Sequence, residues 1–379
     1  MKKIMETSEA VALAAKIARV KVFPMYPITP STHIPEKIAE YVSNGEIDAV
    51  MVDVESEHSA LSAAVGAEAA GVRTFTATSS QGLAYMFEVL PIASGMRLPI
   101  VMAVANRSLS APINIWNDHS DSVSARDQGW IQLWVESAQE ALDTVIMAYK
   151  IAENKNVQLP AMVNLDGFTL SHVFEPIDEP EQTGVDKFLP AFSPENFLDV
   201  KEPKTFGPIG FPDSFMEFKK AQQEAMEESA AVIQKTNSEF KKSFGRSYGN
   251  GLVETYMIDG AKFAIAGMGT LCGTARVAVN NLRKKGIKAG LIKIKSLRPF
   301  PAKELQKIAE KLDGIAVIDR HISLGYEGPL ATDMRSAVFD SGTRINGYIA
   351  GLGGRDITLK HLEKAVIDLK NKKSGSWLQ

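Results

Sequence analysis

The sequence predicts an α/β protein with two parallel-sheet units joined by a proline-rich arm and a long helix. Strand and helix patterns alternate through roughly the first 170 residues, seven of the 18 prolines fall within residues 176–212, and the alternation resumes near Gly260. Strands that alternate with helices usually pair in parallel through right-handed crossovers. The predicted domains are therefore residues 1–175, 176–250 (arm and linker helix) and 251–379.

The first unit is predicted from apolar runs that end at turn residues and from helices with recognisable caps. Leu98–Ala105 is apolar throughout, which is typical of a strand covered on both faces. Ser137 and Glu140 form a capping box for a helix that extends to about Asn154. The other predicted helices are Glu9–Ala18, Ser31–Val42, Ser56–Gly71 and Gly82–Met96, and the other strands are Val20–Tyr26, Ala49–Glu55, Arg73–Ser79, Trp130–Val135 and Leu159–Leu165.

The arm is predicted to wrap another surface and to lie outside any core, because prolines disfavour regular structure. A long helix should follow over Asp213–Phe244 and end at Gly245. The second unit should contain strands at Phe263–Ala266, Ala289–Ile294, Ile315–Asp319 and Arg344–Ile349, and helices at Thr274–Lys285, Ala302–Leu312, Thr332–Phe339 and Leu359–Leu369.

The composition excludes several classes of partner and ligand. A net charge of -3 provides no basic face for nucleic acid or a membrane surface. No apolar run reaches the ~18 residues of a membrane span, and residues 1–10 lack the apolar segment of a secretion signal, so we expect a cytoplasmic protein. The six histidines show no paired metal spacing, so no metal site is predicted. The single thiol, Cys272, cannot hold an iron–sulfur cluster, which needs about four thiolates.

Four successive strand-to-helix junctions carry side chains suited to catalysis. They present Thr29, Glu57, Ser80 with Gln81, and Arg107. Open α/β sheets bind ligands at the carboxyl ends of their strands, so these residues are predicted to line one site. For an isolated glutamate at the start of a helix, stabilisation of the helix dipole is the more common role. The three neighbouring junctions favour a catalytic role for Glu57.

Two further motifs partly match the patterns of known functional sites. Gly267-Met268-Gly269 and Gly273 lie between a strand and a helix, but their spacing is one residue too long for a dinucleotide fingerprint, which favours a plain tight turn. The polar loop Asn106–Gly129 contains Asp118, His119 and Asp121, which could form an acid/base or metal cluster; a hydrogen-bonded loop is the favoured interpretation.

The junctions resemble those of the 2-oxoacid:ferredoxin oxidoreductase family, in particular the alpha subunit of the four-subunit pyruvate:ferredoxin oxidoreductases. The resemblance is carried by Y-P-I-T-P-S, V-E-S-E-H-S-A, T-F-T-A-T-S-S-Q-G-L, N-R, W-N-D-H-S-D, L-D-G-F, L-R-P-F-P and G-L-G-G-R-D. It implies that the first unit is the pyrimidine-binding domain for thiamine diphosphate and that the second resembles the transketolase C-terminal domain.

The resemblance also implies residue roles. Glu57 would hydrogen-bond N1′ of thiamine diphosphate, so that the aminopyrimidine can act as its own base. Thr29 and Arg107 would contact the substrate, where a guanidinium suits a carboxylate. The other implied cofactor-binding residues are Pro27, Ile28, Ser80 and Gln81, and the substrate pocket would also include Ile113, Ile115 and His119 from the 110–119 loop.

Missing motifs imply that the site is shared. The G-D-G…N motif that holds diphosphate and Mg²⁺ in thiamine enzymes does not occur: Asp166-Gly167 lacks the leading glycine, and Asn280-Asn281 falls within a predicted helix. The resemblance therefore implies partner subunits of beta, gamma and delta type, which hold the diphosphate, Mg²⁺ and the [4Fe-4S] clusters. Coenzyme A would be the co-substrate and ferredoxin the acceptor. The alternatives are another 2-oxoacid, branched-chain or aryl, a non-catalytic assembly subunit, and an unrelated small-molecule binding module.

Overall fold

The computed structural model describes residues 2–379 and confirms the predicted α/β class. The strands of this part of the chain are β1 (Lys2–Glu6), β2 (Val22–Met25), β3 (Val50–Asp53), β4 (Phe75–Thr78), β5 (Val101–Asn106), β6 (Ile131–Trp134), β7 (Ala161–Asp166), β8 (Phe174–Asp178), β9 (Val253–Tyr256), β10 (Phe263–Gly267), β11 (Ala289–Ile294), β12 (Ser296–Arg298), β13 (Gly314–Asp319) and β14 (Arg344–Ile349).

The α-helices of residues 2–379 alternate with most of these strands. They are α1 (Thr7–Ile17), α2 (His33–Ser43), α3 (Glu57–Ala69), α4 (Ser80–Tyr85), α5 (Leu90–Gly95), α6 (Ser120–Ser124), α7 (Ala138–Ala152), α8 (Gln182–Phe188), α9 (Phe215–Phe244), α10 (Leu271–Lys284), α11 (Ala302–Ala309), α12 (Pro329–Ala337) and α13 (Leu359–Lys370). No helix among them combines the length and apolarity that a membrane span needs.

Two separate parallel-dominated sheets form the frame. The N-terminal sheet has the order β12-β6-β7-β5-β4, and a bridge between Val22 and Thr74 extends it through β2 to β3. The C-terminal sheet has the order β14-β13-β10-β11-β9. Pairing is parallel except at β9 and β12, which run antiparallel to β11 and β6. The predicted strands β5 and β7 lie in the middle of the N-terminal sheet and are buried along their whole length, as the mainly apolar sequences of both strands favour.

Several local predictions were wrong in detail. The helix expected over Gly82–Met96 is divided into α4 and α5, and the loop Asn106–Gly129 contains the short helix α6. Strands β1 and β8 were not predicted; they pair with each other antiparallel, across more than 160 residues of chain. Strand β12 was also missed, and it crosses from the second half of the chain to the edge of the N-terminal sheet.

The expectation that the proline-rich arm lies outside any core was wrong for the beginning of the arm, which is partly buried. Val185 and Phe188 of α8 are buried in the largest hydrophobic cluster. The Phe188 ring makes edge-on contacts with the rings of Phe240 and Phe244 in α9, at centroid distances of 5.2 and 5.7 Å. Val185 and Phe188 are three residues apart and share one helix face, so a single turn of helix buries both. Residues 189–214 contain no helix or strand.

A buried ionic cluster joins the two halves of the chain. The carboxylate of Glu140, in the first turn of α7, accepts a hydrogen bond from Lys293 Nζ at 2.7 Å and another from Lys295 Nζ. All three side chains are at most 3% exposed. Burial of the Glu140 carboxyl raises its pKa, but the two ammonium groups outweigh this effect and lower the pKa to about 2. Lys293 lies in β11, and Lys295 lies between β11 and β12. Lysines of the C-terminal half thus neutralise a carboxylate of the N-terminal unit.

Candidate active site

The four predicted junctions lie side by side in the structure. Strands β3, β2, β4 and β5 are successive neighbours, and all four run parallel. Glu57 follows β3, Thr29 follows β2, Ser80 follows β4 and Arg107 follows β5. The carboxyl ends of parallel strands meet at one edge of a sheet, so the fold brings the predicted residues to the same edge.

Glu57 is the first residue of α3 and is only 8% exposed. Its carboxylate makes no hydrogen bond or ion pair with any of residues 2–379. Ser56 caps the helix instead, by accepting a hydrogen bond from Ser59 N at 3.2 Å. The neighbouring Glu55 is exposed and accepts a hydrogen bond from the Ser59 hydroxyl. Buried carboxylates normally have partners, so an unpaired one is suited to receive a ligand.

The carboxylate of Glu57 lies against α4. An ideal Cβ built on Gly82 would lie 2.8 Å from Glu57 Oε1 and would also collide with Thr78 Oγ1. Only a residue without a side chain therefore fits at this point of α4. The hydroxyls of Thr78 and Ser79 are buried and have no hydrogen-bond partner among the described residues. This edge of the sheet thus carries an unpaired carboxylate and two unpaired hydroxyls.

Arg107 and Thr29 are brought into direct contact. The Arg107 guanidinium donates from Nη1 to the backbone oxygen of Thr29 at 3.0 Å and from Nε to the backbone oxygen of Asn114 at 2.9 Å. Its Nη2 has no hydrogen-bond partner within the described part of the chain. Arg107 is 7% exposed, and burial lowers the pKa of its guanidinium. Two carbonyls thus fix the cation while one terminal nitrogen stays free for an anion.

Asp121 organises two of the junctions, a role that the sequence analysis did not assign. Its Oδ2 accepts hydrogen bonds from the backbone N–H groups of Ser80 and Arg107, both at 2.9 Å, and its Oδ1 accepts one from Asn106 Nδ2 at 2.9 Å. The carboxyl is fully buried, which raises its pKa. The favoured interpretation of this segment, a hydrogen-bonded loop, agrees with these contacts. The sequence contains no signal for the role, because the two donors lie 41 and 14 residues away from Asp121.

The other predicted cofactor-binding residues lie at the same edge. Ser80 Oγ lies 2.5 Å from the Ser108 carbonyl and 2.6 Å from Gln81 Oε1. Pro27 is exposed and Ile28 is half-buried in the turn between β2 and α2. The Ile28 carbonyl accepts hydrogen bonds from Ser31 N and Oγ, both at 2.8 Å, so this turn has a fixed shape.

The three predicted pocket residues of the 110–119 loop have different environments. Ile113 is 79% exposed and Ile115 is half-buried. The loop packs on the G-L-G-G-R-D segment of the C-terminal half: Asn114 Nδ2 donates to the Gly353 carbonyl at 3.2 Å. His119 is 1% exposed and its Nε2 lies 2.8 Å from Asp166 Oδ1. His119 therefore contacts the junction between the two halves, and Ile113 faces the surface of the chain.

Asp166 is the centre of that junction. Its Oδ2 accepts hydrogen bonds from Arg320 Nη1 at 3.0 Å and Thr270 N at 2.9 Å. Burial opposes ionisation, but Arg320 and His119 hold the pKa of Asp166 below its usual range. Gly269 has φ +67° and approaches Asp166 so closely that a Cβ would lie 2.7 Å from Oδ1. The glycine motif is thus a tight turn, and a protein carboxylate occupies the helix N-terminus that a dinucleotide would require.

Comparison with known proteins identifies two family matches. Residues 13–238 match the family described as "Pyruvate flavodoxin/ferredoxin oxidoreductase, thiamine diP-bdg". Residues 261–362 match the family described as "Pyruvate:ferredoxin oxidoreductase core domain II". The first match covers more than half of the chain and contains all the predicted junctions.

Similar proteins match over nearly the full length. Pyruvate synthase subunit PorA of Methanocaldococcus jannaschii is 51% identical over 97% of this chain and 96% of its own length. Pyruvate synthase subunit PorA of Pyrococcus abyssi is 50% identical over 96% of this chain and 92% of its own length. Ketoisovalerate oxidoreductase subunit VorA of Pyrococcus horikoshii is 46% identical over 98% of this chain and 94% of its own length.

Solved structures support the architecture. The 2-oxoglutarate:ferredoxin oxidoreductase of Magnetococcus marinus has a TM-score of 0.71 and 21% identity over 97% of this chain, which spans 65% of that longer chain. A split-gene transketolase has a TM-score of 0.55 and 13% identity over 96% of this chain and 97% of its own. These similarities concern the fold alone.

Proposed function

This chain belongs to the pyruvate flavodoxin/ferredoxin oxidoreductase family, and from that premise we propose that it is the alpha subunit of a multisubunit, thiamine-diphosphate-dependent pyruvate:ferredoxin oxidoreductase. The complex would convert a 2-oxoacid and coenzyme A to acyl-CoA and CO₂, and two electrons would pass to ferredoxin. The observation that carries the proposal is the unpaired, nearly buried carboxylate of Glu57 at the edge of the sheet.

The residues at that edge fit one half of the coenzyme. Thiamine diphosphate, when bound, supplies a carbon nucleophile and an electron sink for decarboxylation. Glu57 would hydrogen-bond the aminopyrimidine at N1′, and the unpaired hydroxyls of Thr78 and Ser79 are further polar groups beside it. The rest of the pyrimidine side of the cofactor site would be formed by Pro27, Ile28, Ser80 and Gln81.

Arg107 and Thr29 would bind the 2-oxoacid. The free Nη2 of Arg107 can donate to a carboxylate while the two carbonyl contacts keep the guanidinium in place. Departure of CO₂ removes the charge that Arg107 held, so its contribution is orientation of the substrate. The 110–119 loop would shape the substrate pocket through Ile113, Ile115 and His119. Because His119 contacts Asp166, it would influence the substrate indirectly, by holding the loop in position.

The remaining half of the site would belong to another subunit. Asp166 is saturated by Arg320, Thr270 and His119, so it is unsuited to bind Mg²⁺. Asn280 and Asn281 lie within α10 and bond to Tyr256 and Glu363. Cys272 is buried, and a single thiol cannot hold a [4Fe-4S] cluster. We therefore assign diphosphate, Mg²⁺ and clusters to beta, gamma and delta-type partners, in a cytoplasmic complex.

Pyruvate is the preferred substrate within this proposal. The pyruvate synthase subunits match at up to 51% identity, and the ketoisovalerate oxidoreductase subunit matches at 46%. A branched-chain or aryl 2-oxoacid is the alternative, because Thr29 and Arg107 would recognise the oxo-carboxylate common to all of them. Steady-state rates of the purified complex with a panel of 2-oxoacids would decide between them.

Substitution of Glu57 tests the catalytic role. Glu57→Gln in the reconstituted complex should reduce 2-oxoacid-dependent ferredoxin reduction by about 10²-fold or more, since positioned acid–base groups contribute about 10²–10⁴-fold. The complex should still assemble, as judged by size-exclusion chromatography. Glu55→Gln is the matched control, because Glu55 is exposed and only two residues away, and it should retain near-normal turnover. Near-normal turnover of Glu57→Gln would reject the catalytic role and favour a non-catalytic assembly subunit.

A further inference from the structure

Three side chains from distant parts of the sequence converge beside the N-terminal sheet. Glu6 ends β1, His33 begins α2 and His172 precedes β8. One potential ligand atom from each lies within 4.8 Å of the other two. Among residues 2–379 no other group of three histidine, cysteine or carboxylate side chains converges in this way. From this arrangement we propose that Glu6, His33 and His172 bind a divalent transition-metal ion, with Zn²⁺ as the best fit.

The ligand chemistry favours Zn²⁺. Two imidazoles and one carboxylate form a donor set that zinc commonly accepts, with bonds of about 2.0–2.2 Å. Calcium and magnesium prefer oxygen ligands alone, so they suit this set poorly. His33 Nδ1 and Glu6 Oε1 form a hydrogen bond at 2.7 Å, which an ion bound between the two atoms would replace. The two side chains are 40% and 10% exposed. A fourth position can therefore be filled by water from the exposed side of His33.

Two of the three ligands are held in place by backbone structure. Strands β1 and β8 pair antiparallel, with Glu6 opposite Phe174. Thr7 N donates to the Val173 carbonyl at 3.1 Å, and Ser8 N donates to the Ser171 carbonyl at 3.0 Å. The chain around His172 is thus fixed next to Glu6 before a metal arrives. Such preorganisation lowers the cost of binding.

The surroundings of His172 resemble those of a metal-bound histidine. Its Nδ1 lies 2.8 Å from Ser171 Oγ, which in turn accepts a hydrogen bond from Phe168 N at 2.9 Å. Metal-binding histidines usually use their other ring nitrogen for a hydrogen bond that fixes the ring. The Phe168 and His33 rings lie on His172 at centroid distances of 4.7 and 4.4 Å. Nε2 of His172 remains the nitrogen without a hydrogen bond, and it is the ligand atom in this proposal.

A metal here would connect three segments near the proposed active site. α2 starts shortly after Thr29, and the segment before His172 contacts the same turn: a Cβ on Gly167 would lie 2.7 Å from Pro30 Cγ. The ion would fix the β2–α2 turn against the segment that follows β7 and against β1. In this proposal the ion holds these three segments together, and it is separate from the Mg²⁺ assigned above to a partner subunit.

Zinc titration of the full-length chain tests the proposal. After treatment with a chelator, calorimetry should show one Zn²⁺ bound per chain, and Co²⁺ should give the visible absorption of a tetrahedral site. Glu6→Gln, His33→Gln and His172→Gln should each weaken Zn²⁺ binding more than tenfold, and Ser171→Ala about tenfold or more through the orientation of His172. Zn²⁺ should also raise the melting temperature of the unsubstituted chain, because it binds the folded state only.

The matched control is His361→Gln, which removes a histidine of the C-terminal half that lies in the cap of α13. This variant should bind Zn²⁺ as tightly as the unsubstituted chain. Equal Zn²⁺ affinity in the unsubstituted chain and in the variant lacking all three side chains would overturn the proposal, and so would the absence of stoichiometric binding. Circular dichroism of the single variants ensures that lost binding reflects a lost ligand; His33 is half exposed, so its replacement should leave the fold intact.

Discussion

The carboxylate of Glu57 and the backbone of Gly82 are in direct contact across two helix starts, with room for no additional carbon between them. A Cβ on Gly82 would lie 2.8 Å from Glu57 Oε1 and 2.9 Å from its Cγ. The position of the carboxylate is therefore determined by the helices that follow β3 and β4, the strands on either side of β2, and by the absence of a side chain at residue 82.

Gly82→Ala should displace the Glu57 carboxylate and weaken the binding of thiamine diphosphate to the complex. Overpacking costs about 1–3 kcal/mol, and a loss of this size in binding free energy corresponds to roughly a fivefold or greater rise in the apparent dissociation constant. Titration of cofactor-depleted complex with thiamine diphosphate measures the effect. Gly66→Ala is the matched control. Gly66 lies in α3, the helix that begins at Glu57, and nothing lies within 4 Å of a Cβ added there. An unchanged cofactor affinity in Gly82→Ala would contradict the assignment.

Asp121→Asn should impair the site without abolishing the fold. The amide would retain an acceptor oxygen but lose the charge that attracts the N–H groups of Ser80 and Arg107, and charge-assisted hydrogen bonds of this kind contribute about 1.5–3 kcal/mol. Because the Arg107 junction would move, we expect KM for the 2-oxoacid to rise about tenfold or more. Asp127→Asn, at an exposed position of the same loop, should leave KM unchanged. A fall in kcat alone would show that Asp121 does not act through Arg107.

Arg107→Lys should also raise KM for the 2-oxoacid, by about tenfold or more, because an ammonium group cannot bind two carbonyls and a carboxylate in a fixed plane. Inhibition constants of pyruvate esters or amides, used as competitive inhibitors, show how much of the effect depends on the negative charge of the substrate carboxylate. Such uncharged analogues should bind the lysine variant and the unsubstituted complex similarly. Arg97→Lys, which alters an arginine bonded to the Val157 and Gln158 carbonyls, is the control. A parallel loss of affinity for charged and uncharged analogues would argue against a carboxylate contact.

Glu140→Gln should destabilise the full-length chain at neutral pH, since Lys295 loses the carboxylate it is paired with in the buried cluster. Lys293 keeps its contacts with Glu136 and Glu254 at 3.1 and 3.4 Å. Breaking a buried pair costs about 3–5 kcal/mol. The folded-state pKa of about 2 lies below the ordinary value of 4.5, so this carboxylate contributes stability above pH 4.5. That contribution is lost as the pH falls from about 4.5 to about 2. Urea denaturation over this range should show a steeper loss of stability for the unsubstituted chain than for Glu140→Gln. Equal slopes would contradict the assignment, and Glu46→Gln, an exposed control, should behave like the unsubstituted chain.

Local sequence patterns were sufficient to predict the main strands of the two sheets. Strands β11 (Ala289–Ile294) and β14 (Arg344–Ile349) have the predicted bounds. The position of Glu57, Thr29, Ser80 and Arg107 at one sheet edge also follows from a general rule for parallel sheets, because the rule depends only on the order of strands and helices.

Long-range contacts could not be predicted in the same way. β1 and β8 carry little apolar alternation, and they become strands only because each is the partner of the other. Asp121 reaches Ser80 and Arg107 through folding of an irregular loop, and periodicity does not describe such a loop. The burial of Val185 and Phe188 depends on the rings of α9, which begins 27 residues after α8 ends.

Strand β12 has a consequence for synthesis of the protein. When the ribosome has added Trp134, all of strand β6 has been synthesised. Its antiparallel partner β12 (Ser296–Arg298) will be synthesised only after about 160 more residues. At ~5–20 residues per second, the nascent N-terminal sheet retains an open edge for on the order of ten seconds or more. Open edges recruit other strands. A messenger truncated before codon 296 should therefore yield an aggregating fragment, and a co-translational chaperone should associate most strongly in this interval.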